Sequence, residues 1–374
     1  MTSPLPPPGL IPRPGVAALV ADGAIGAERV IEPAQFQPAS LDLRLGKEAF
    51  RLRASFLPGR HSSVRERLES LGPERISLEG GGAVLEKGIV YIAPLAERLA
   101  LPPGLSGAAN PKSSTGRLDI FTRLIVDRGA AFDEAPAGYA GPLWVEISPR
   151  SFSVRVREGS RLNQLRLREQ GRAVLSDAEL GARHSARPLV DGALELRDGL
   201  VVHVGLGGEA GSIVGFRALK NGSVIDVDRP GAYAAEDFWE PIRARGDGRL
   251  ILDPDEFYIL ASREKMQIPA DLAAEMAPID PALGEFRVHY AGFFDPGFGV
   301  TLSGAPGAKA VLEVRGRDVP FLLEDGQPIG RLVFEPLSAP ADALYGAIGG
   351  SNYQGQGLKL AKHFRPWREA AAPQ

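Results

Sequence analysis

The chain repeats itself. Glu86–Pro102 holds Tyr91-Ile92-Ala93 and then Leu101-Pro102, while Asp253–Pro269 holds Tyr258-Ile259-Leu260 and then Ile268-Pro269. Both landmarks recur at an offset of 167 residues, Tyr91 to Tyr258 and Pro102 to Pro269. Glu158-Gly159-Ser160-Arg161-Leu162-Asn163-Gln164-Leu165 returns as Asp325-Gly326-Gln327-Pro328-Ile329-Gly330-Arg331-Leu332, and Trp144-Val145-Glu146 as Val311-Leu312-Glu313, in the same register. Four correspondences at one spacing mark a tandem duplication. The 374 residues therefore hold two domains rather than one large core.

The duplicated unit reads as β. The 45 glycines and 32 prolines are spread throughout, which favours short strands and tight turns over long helices. Ser40–Gly46 alternates apolar and polar residues and stops at a glycine, and Val154–Arg157 and Val224–Asp228 alternate likewise. Residues 1–14, with six prolines, are expected to be an extended tail. Val16, Leu19, Val20 and Ile25 predict a short helix around Gly15–Ile25. The polar stretch Arg168–Arg187, with a small helical piece at Leu175–Leu180, reads as a linker. The expected partition is a tail at 1–14, a first domain at 15–170, a linker at 171–187 and a second domain at 188–374, all-β with a few short helices.

Composition removes several chemistries. With no cysteine there is no disulfide, thiol nucleophile, iron–sulfur cluster or cysteine-ligated zinc. The five histidines are scattered without metal-binding spacing, which argues against a His-rich metal site. Forty-three basic against 46 acidic residues suggests no general nucleic-acid or membrane surface. No apolar run is long enough to span a bilayer, and the Pro-rich start shows no leader pattern. A cytoplasmic protein is the expectation.

The two copies differ where chemistry would sit. The first holds Pro111-Lys112-Ser113-Ser114-Thr115-Gly116-Arg117, and the second Ile279-Asp280-Pro281-Ala282-Leu283-Gly284. Lys, hydroxyls, Gly and Arg so closely spaced suit a polyphosphate cradle; they equally suit a solvated, hydroxyl-rich turn. The second copy instead carries His289-Tyr290-Ala291-Gly292-Phe293-Phe294-Asp295-Pro296-Gly297-Phe298 and then Glu313, against Asp127-Arg128-Gly129 and Glu146 in the first. Glu313 alternates with its strand neighbours, sharing a face with Val311 and opposing Leu312. An interior face would raise its pKa toward proton-shuttling range, and an outward face would leave it an ordinary solvated carboxylate.

Taken together, Gln37–Gly46, the Lys-Ser-Ser-x-x-Arg run, Ala291–Phe298, Glu313, Ile329–Leu337 and the tail Tyr345 … Tyr353-Gln354-Gly355-Gln356 resemble the dCTP deaminase branch of the dUTPase-like superfamily. The resemblance implies two distorted jelly-roll-like β barrels and a metal-independent hydrolysis of dCTP to dUTP and ammonia. Mg²⁺ would enter only as the triphosphate's counterion, with no zinc; the zinc deaminases need Cys or His ligands and a Pro-Cys-x-x-Cys segment that this chain lacks. By the same resemblance Ser113 and Arg117 would hold the attacking water, and Lys112 and Ser114 would contact phosphates. Glu313 would move the protons. His289, Tyr290 and Ala291 would read the base, Asp295 the deoxyribose, and Phe298 would pack nearby. Tyr345, Tyr353 and Gln356 would close over the nucleotide. Asn352 stands where the family often has Lys, and Lys359 and Lys362 are near enough to replace that charge.

Each copy has kept what the other lost, which points to one composite site built from both domains. The other geometry pairs like domains of different chains and makes Glu146 the carboxylate. Family members form homo-oligomers, and feedback by dTTP is a further possibility of the resemblance. Three other functions stay open: a dUTPase or bifunctional enzyme acting on dUTP or dCTP and releasing pyrophosphate and dUMP, an inactive nucleotide-binding regulator, and a structural tandem β protein.

Overall fold

The computed structural model describes residues 8–278, 286–288, 292–347 and 353–368. The chain is mostly β, and its ladders repeat with the sequence. In the first half Val90–Ala100 runs antiparallel to Ala140–Pro149 with Ile92 opposite Glu146. In the second, Phe257–Met266 runs antiparallel to Ala308–Gly316 with Ile259 opposite Glu313. Leu105–Pro111 pairs with Asn163–Glu169, Ala108 opposite Arg166; Leu272–Pro278 pairs with Pro328–Pro336, Glu275 opposite Val333. Every one of these partners lies 167 residues beyond its counterpart. The duplication is thus one of backbone pairing, not of sequence alone. The described ladders form six sheets, and the barrel closure expected from the resemblance is not drawn by them.

The halves pack through a shared apolar seam. Leu312 and Val314 enter the second half's own core with Leu260, Leu332 and Phe334. Val311, on the opposite face of the same strand, joins the first half's core together with Phe257, Ile259 and Trp239. A strand buried on both faces reads as a nearly unbroken apolar run, as Ala310-Val311-Leu312 does. Charge lines one edge of the seam: Arg168 donates to both carboxylate oxygens of Glu335, from Nε at 2.6 Å and Nη2 at 2.7 Å. Asn110 Nδ2 donates to Glu275 Oε1 at 3.1 Å nearby.

Two expected connectors are integral to the fold. Gly9–Leu10 is a strand paired with Arg168 and Glu169, and Leu10 is fully buried. The helix Arg13–Ala21 begins inside the stretch expected to be extended, because a proline in the first turn gives up an N–H that would have no partner anyway. The presumed linker contains the helix Asp177–Ala186, started by a capping box between Ser176 and Glu179, and its Leu180 is buried in the second core. The same box, Ser63 with Glu66, starts the helix Val64–Leu71, which the strand-dominated reading had not anticipated.

The C-terminal segment is also core. Leu360, Ala361 and Phe364 are buried in the shared seam, and Phe364 meets Trp239 edge-on at 5.9 Å. Among the described residues no helix is long and apolar enough to cross a membrane.

Candidate active site

Strand Leu105–Pro111 ends on a proline, which has no N–H to extend the ladder, and the chain turns into the single helical turn Ser113–Gly116. The turn is pinned from below. Lys112 N–H donates to the Leu162 carbonyl at 2.9 Å, and the N–H groups of Thr115 and Gly116 donate to the Lys112 carbonyl at 2.8 and 3.0 Å. The Lys112 ammonium is ion-paired with Asp42, which strand Leu41–Leu43 turns inward. Ser40 Oγ donates to Gln164 Oε1 at 3.2 Å, so the Gln37–Gly46 motif is the scaffold under the lysine.

Arg117 leaves this turn and reaches into the second half. Its Nη2 donates to Gln356 Oε1 at 3.0 Å, its Nη1 to the Lys359 carbonyl at 2.9 Å, and its guanidinium lies 3.8 Å from the Tyr353 ring centroid. Glu313 comes to the same place from strand Ala308–Gly316. Its carboxylate lies against Gly116, where an added Cβ would stand 3.1 Å from the carboxyl carbon and from both oxygens. Burial pushes the Glu313 pKa up to about 8, with Arg117 pulling it down and Asp119 adding to the rise. Two residues along, Arg315 forms an ion pair with Asp119, which also accepts from Ser151 Oγ at 2.6 Å, clamping the halves beside the glutamate.

Asp295 is buried beneath the same cleft, its pKa raised chiefly by desolvation. It is held by Arg166 of the first half, Nη2 to Oδ1 at 3.2 Å. Sequence reasoning had passed over Arg166. The Tyr345 ring lies 5.6 Å from Phe298, and its N–H donates to the Pro296 carbonyl at 2.7 Å. Tyr353 is buried, its hydroxyl accepting from the Lys362 N–H at 3.2 Å. Gln356 is tied to Lys309 by Nε2 to the carbonyl at 3.1 Å and by the reverse backbone bond at 2.8 Å. The ammonium pKa values of Lys359 and Lys362 are pulled down by burial first and then by the neighbouring charges of Arg117 and Lys112 respectively. Cations crowded in this way are relieved by an anionic ligand.

These residues wall an inner recess of about 50 Å³, bounded by Ser113, Arg117, Asp295, Glu313 and Gln356. It adjoins a cleft of about 460 Å³ lined by Lys112, Ser114, Arg161, Lys362 and His363. Ser113, Phe293, Asp295, Tyr345 and Tyr353 border both. A larger groove of about 790 Å³ meets this cleft at Arg161 and Asp228, but its Arg29, Arg75, Arg157 and Arg161 are already matched by Glu158, Glu48, Asp226 with Asp228, and Glu32. The smaller, shared cleft is therefore the candidate site.

Glu146 is not part of that cleft. It is buried against Arg123, which donates from Nε at 3.1 Å and Nη2 at 2.7 Å, and it also accepts from Ser55. Its ladder neighbour Ile92 belongs to an apolar cluster with Leu52, Leu68, Ile125 and Trp144, completed by Val64 from helix Val64–Leu71. The first copy's glutamate is thus engaged by Arg123 and Ser55 of its own half. His289, Tyr290 and Ala291 lie outside the described residues.

Register also corrects one correspondence between the copies. Glu134 stands opposite Ala108 and Phe293 opposite Glu275, and Ala108 and Glu275 are 167 residues apart. Pro136-Ala137-Gly138-Tyr139 is therefore the counterpart of Asp295-Pro296-Gly297-Phe298, not Asp127-Arg128-Gly129. Gly138 and Gly297 share the left-handed turn, with φ of 72° and 88°. The first copy has Pro136 where the second has Asp295.

Among the described residues no group of three or more His, Asp or Glu side chains could hold a metal ion. Residues 7–171 match the family described as the 2'-deoxycytidine 5'-triphosphate deaminase (DCD) N-terminal domain, and residues 176–364 the DCD C-terminal domain. The dUMP-forming dCTP deaminase of Parafrankia sp. is 34% identical over 164 residues, covering 42% of this chain and 77% of that protein. The dCTP deaminase of Haloarcula marismortui is 31% identical over 146 residues, covering 37% of this chain and 72% of its own. The crystal structure of 2'-deoxycytidine 5'-triphosphate deaminase from Agrobacterium tumefaciens is similar at a TM-score of 0.84 and 50% identity, over 88% of this chain and 99% of that one. These matches define the chain as a hydrolase of nucleotide metabolism. The chain belongs to the dCTP deaminase family.

Proposed function

We propose that one composite site, built from both halves of a single chain, deaminates dCTP to dUTP and ammonia. The observation that carries this reading is the meeting of Ser113 and Arg117 from the first half with Glu313 from the second around one recess. Ser113 and Arg117 hold a water against C4 of cytosine. Glu313 takes a proton from that water as it adds to C4 and passes it to N3, then takes the remaining hydroxyl proton at C4 and gives it to the amino group as the C4–N bond breaks, so that one water enters and one ammonia leaves. A carboxyl pushed up to about 8 can act in both directions near neutrality. Lys112, Ser114, Lys359 and Lys362 meet the triphosphate with Mg²⁺ as its counterion, and Asp295 binds the deoxyribose beside Phe298. Tyr345, Tyr353 and Gln356 cover the nucleotide and exclude water. No zinc enters this scheme, and each half is a distorted dUTPase-like barrel.

A second reading has support in the names of relatives such as that of Parafrankia sp., a dUMP-forming enzyme. There the same cleft also aims a water at the α-phosphorus and releases pyrophosphate. Incubation with dCTP and Mg²⁺, with nucleotides resolved by chromatography and ammonia and pyrophosphate assayed, separates the two. Ammonia with dUTP supports the first reading, ammonia with pyrophosphate and dUMP the second, and neither product overturns both.

A further inference from the structure

Arg166 is a first-half residue that does its bonding in the second half. It projects from strand Asn163–Glu169, and its side chain is fully buried. Its Nη1 donates to the Ala274 carbonyl at 2.9 Å, and its Nη2 to the Phe294 carbonyl at 2.9 Å and to Asp295 Oδ1 at 3.2 Å. The guanidinium lies 3.9 Å from the centroid of the Phe293 ring, so the plane of the fork is fixed as well as its ends. A charge this deep is costly, and burial pulls its pKa down against the opposing charges of Asp295, Glu335 and Glu275, of which Asp295 is the carboxylate it hydrogen-bonds. That carboxylate borders both the recess and the cleft.

We propose that Arg166 is a positioning residue for sugar recognition: from the other half of the chain it keeps Asp295 ionised and, by occupying Oδ1, leaves Oδ2 to accept from the deoxyribose hydroxyl. This rests on the reading of Asp295 as the sugar ligand. The charged or titratable groups facing Asp295 are Arg166, Asp42, Lys112 and Tyr345, of which Arg166 is its hydrogen-bond partner. Without the guanidinium, the largest influence opposing desolvation is gone, so the Asp295 pKa rises further and less of the carboxyl is present as the stronger, charged acceptor.

The test is equilibrium binding of dCTP with Mg²⁺ to the full chain carrying Glu313→Gln, so that turnover does not intrude. Adding Arg166→Met should weaken binding about tenfold or more near neutral pH, the size of a lost charge-assisted contact. Binding should recover as the pH is raised and Asp295 ionises. Asp295→Asn should weaken binding without that recovery, and Arg166→Met should add nothing further in the Asp295→Asn chain. If Arg166→Met does not fold, Arg166→Lys takes its place, with a smaller loss and the same absence of further effect on Asp295→Asn. Unchanged binding by a folded variant overturns the inference. So does a loss equal at every pH and additive with Asp295→Asn, which marks a merely structural role. No nucleotide binding by the Glu313→Gln parent removes the functional reading itself, and this inference with it.

Discussion

The carboxylate of Glu313 lies against the α-carbon of Gly116, a residue of the other half, so closely that a single methyl group would stand 3.1 Å from all three of its carboxyl atoms. Gly116 is not in a left-handed conformation, so Gly116→Ala brings no backbone strain and acts only by displacing the acid. Misplacing a reacting group by about 1 Å can cost about 10²-fold, and the crowded carboxylate must give by a few tenths of an ångström. Gly116→Ala should lower kcat by about tenfold to a hundredfold while the melting temperature falls little. Unchanged kcat would mean that the carboxylate's placement is not critical.

Glu313 should leave two signatures of pH. As the base it must be ionised, so kcat/KM should rise with pH through about 8, and Glu313→Gln should remove that rise together with about 10²–10⁴ of turnover. Its effect on stability runs the other way. The folded state holds the proton above the unfolded value of 4.5, so the stabilisation is complete below that value and lost as pH rises through about 8. Melting temperatures of Glu313→Gln should therefore exceed those of the wild type by a margin that grows between these limits. A margin independent of pH would place the titration elsewhere.

The single-chain geometry makes a complementation test decisive. Ser113→Ala and Glu313→Gln each disable the site, and mixing the two chains should restore nothing, because every complete site needs both residues from one chain. Recovered activity after verified subunit exchange would show a site shared between chains. Glu146→Gln should hardly change turnover but should lower the melting temperature, since it weakens the buried pair with Arg123.

The tail should divide into two functions. Gln356→Ala removes the acceptor of Arg117 and should raise KM for dCTP several-fold with little loss of stability. Truncation before Ser351 should raise KM and also lower the melting temperature, because Leu360, Ala361 and Phe364 go with it. Equal melting temperatures for truncated and whole chains would overturn the packing role of this segment.

Much of this was legible in the sequence because it depended on spacing. The offset of 167 residues carried over into the strand registers, and the alternation of Val311, Leu312 and Glu313 correctly separated the face toward the first half from the face toward the second core. The capping boxes at Ser63 and Ser176 were equally legible and were passed over in a reading dominated by strands. What spacing does not carry is a side-chain contact between halves. Arg166 with Asp295 and Arg315 with Asp119 are separated by 129 and 196 residues, and no local pattern announces them. Asp127 drew attention as a carboxylate in about the right place, whereas the ladder shows that the equivalent of Asp295 is a proline.

Arg168 and Glu335 are the same position in the two copies, and they bond to each other. In an assembly of identical units a position that meets its own equivalent must face its own kind, and one buried charge would confront another of equal sign. Duplication lifts that restriction: once both copies lie on one chain, the position can carry opposite signs. Association of two first halves in the same geometry would now bring Arg168 against Arg168, and two second halves Glu335 against Glu335, a mismatch costing several kcal/mol. The pair therefore acts as a lock that accepts only the unlike partner, and it gives each half a physical reason not to associate with its own kind.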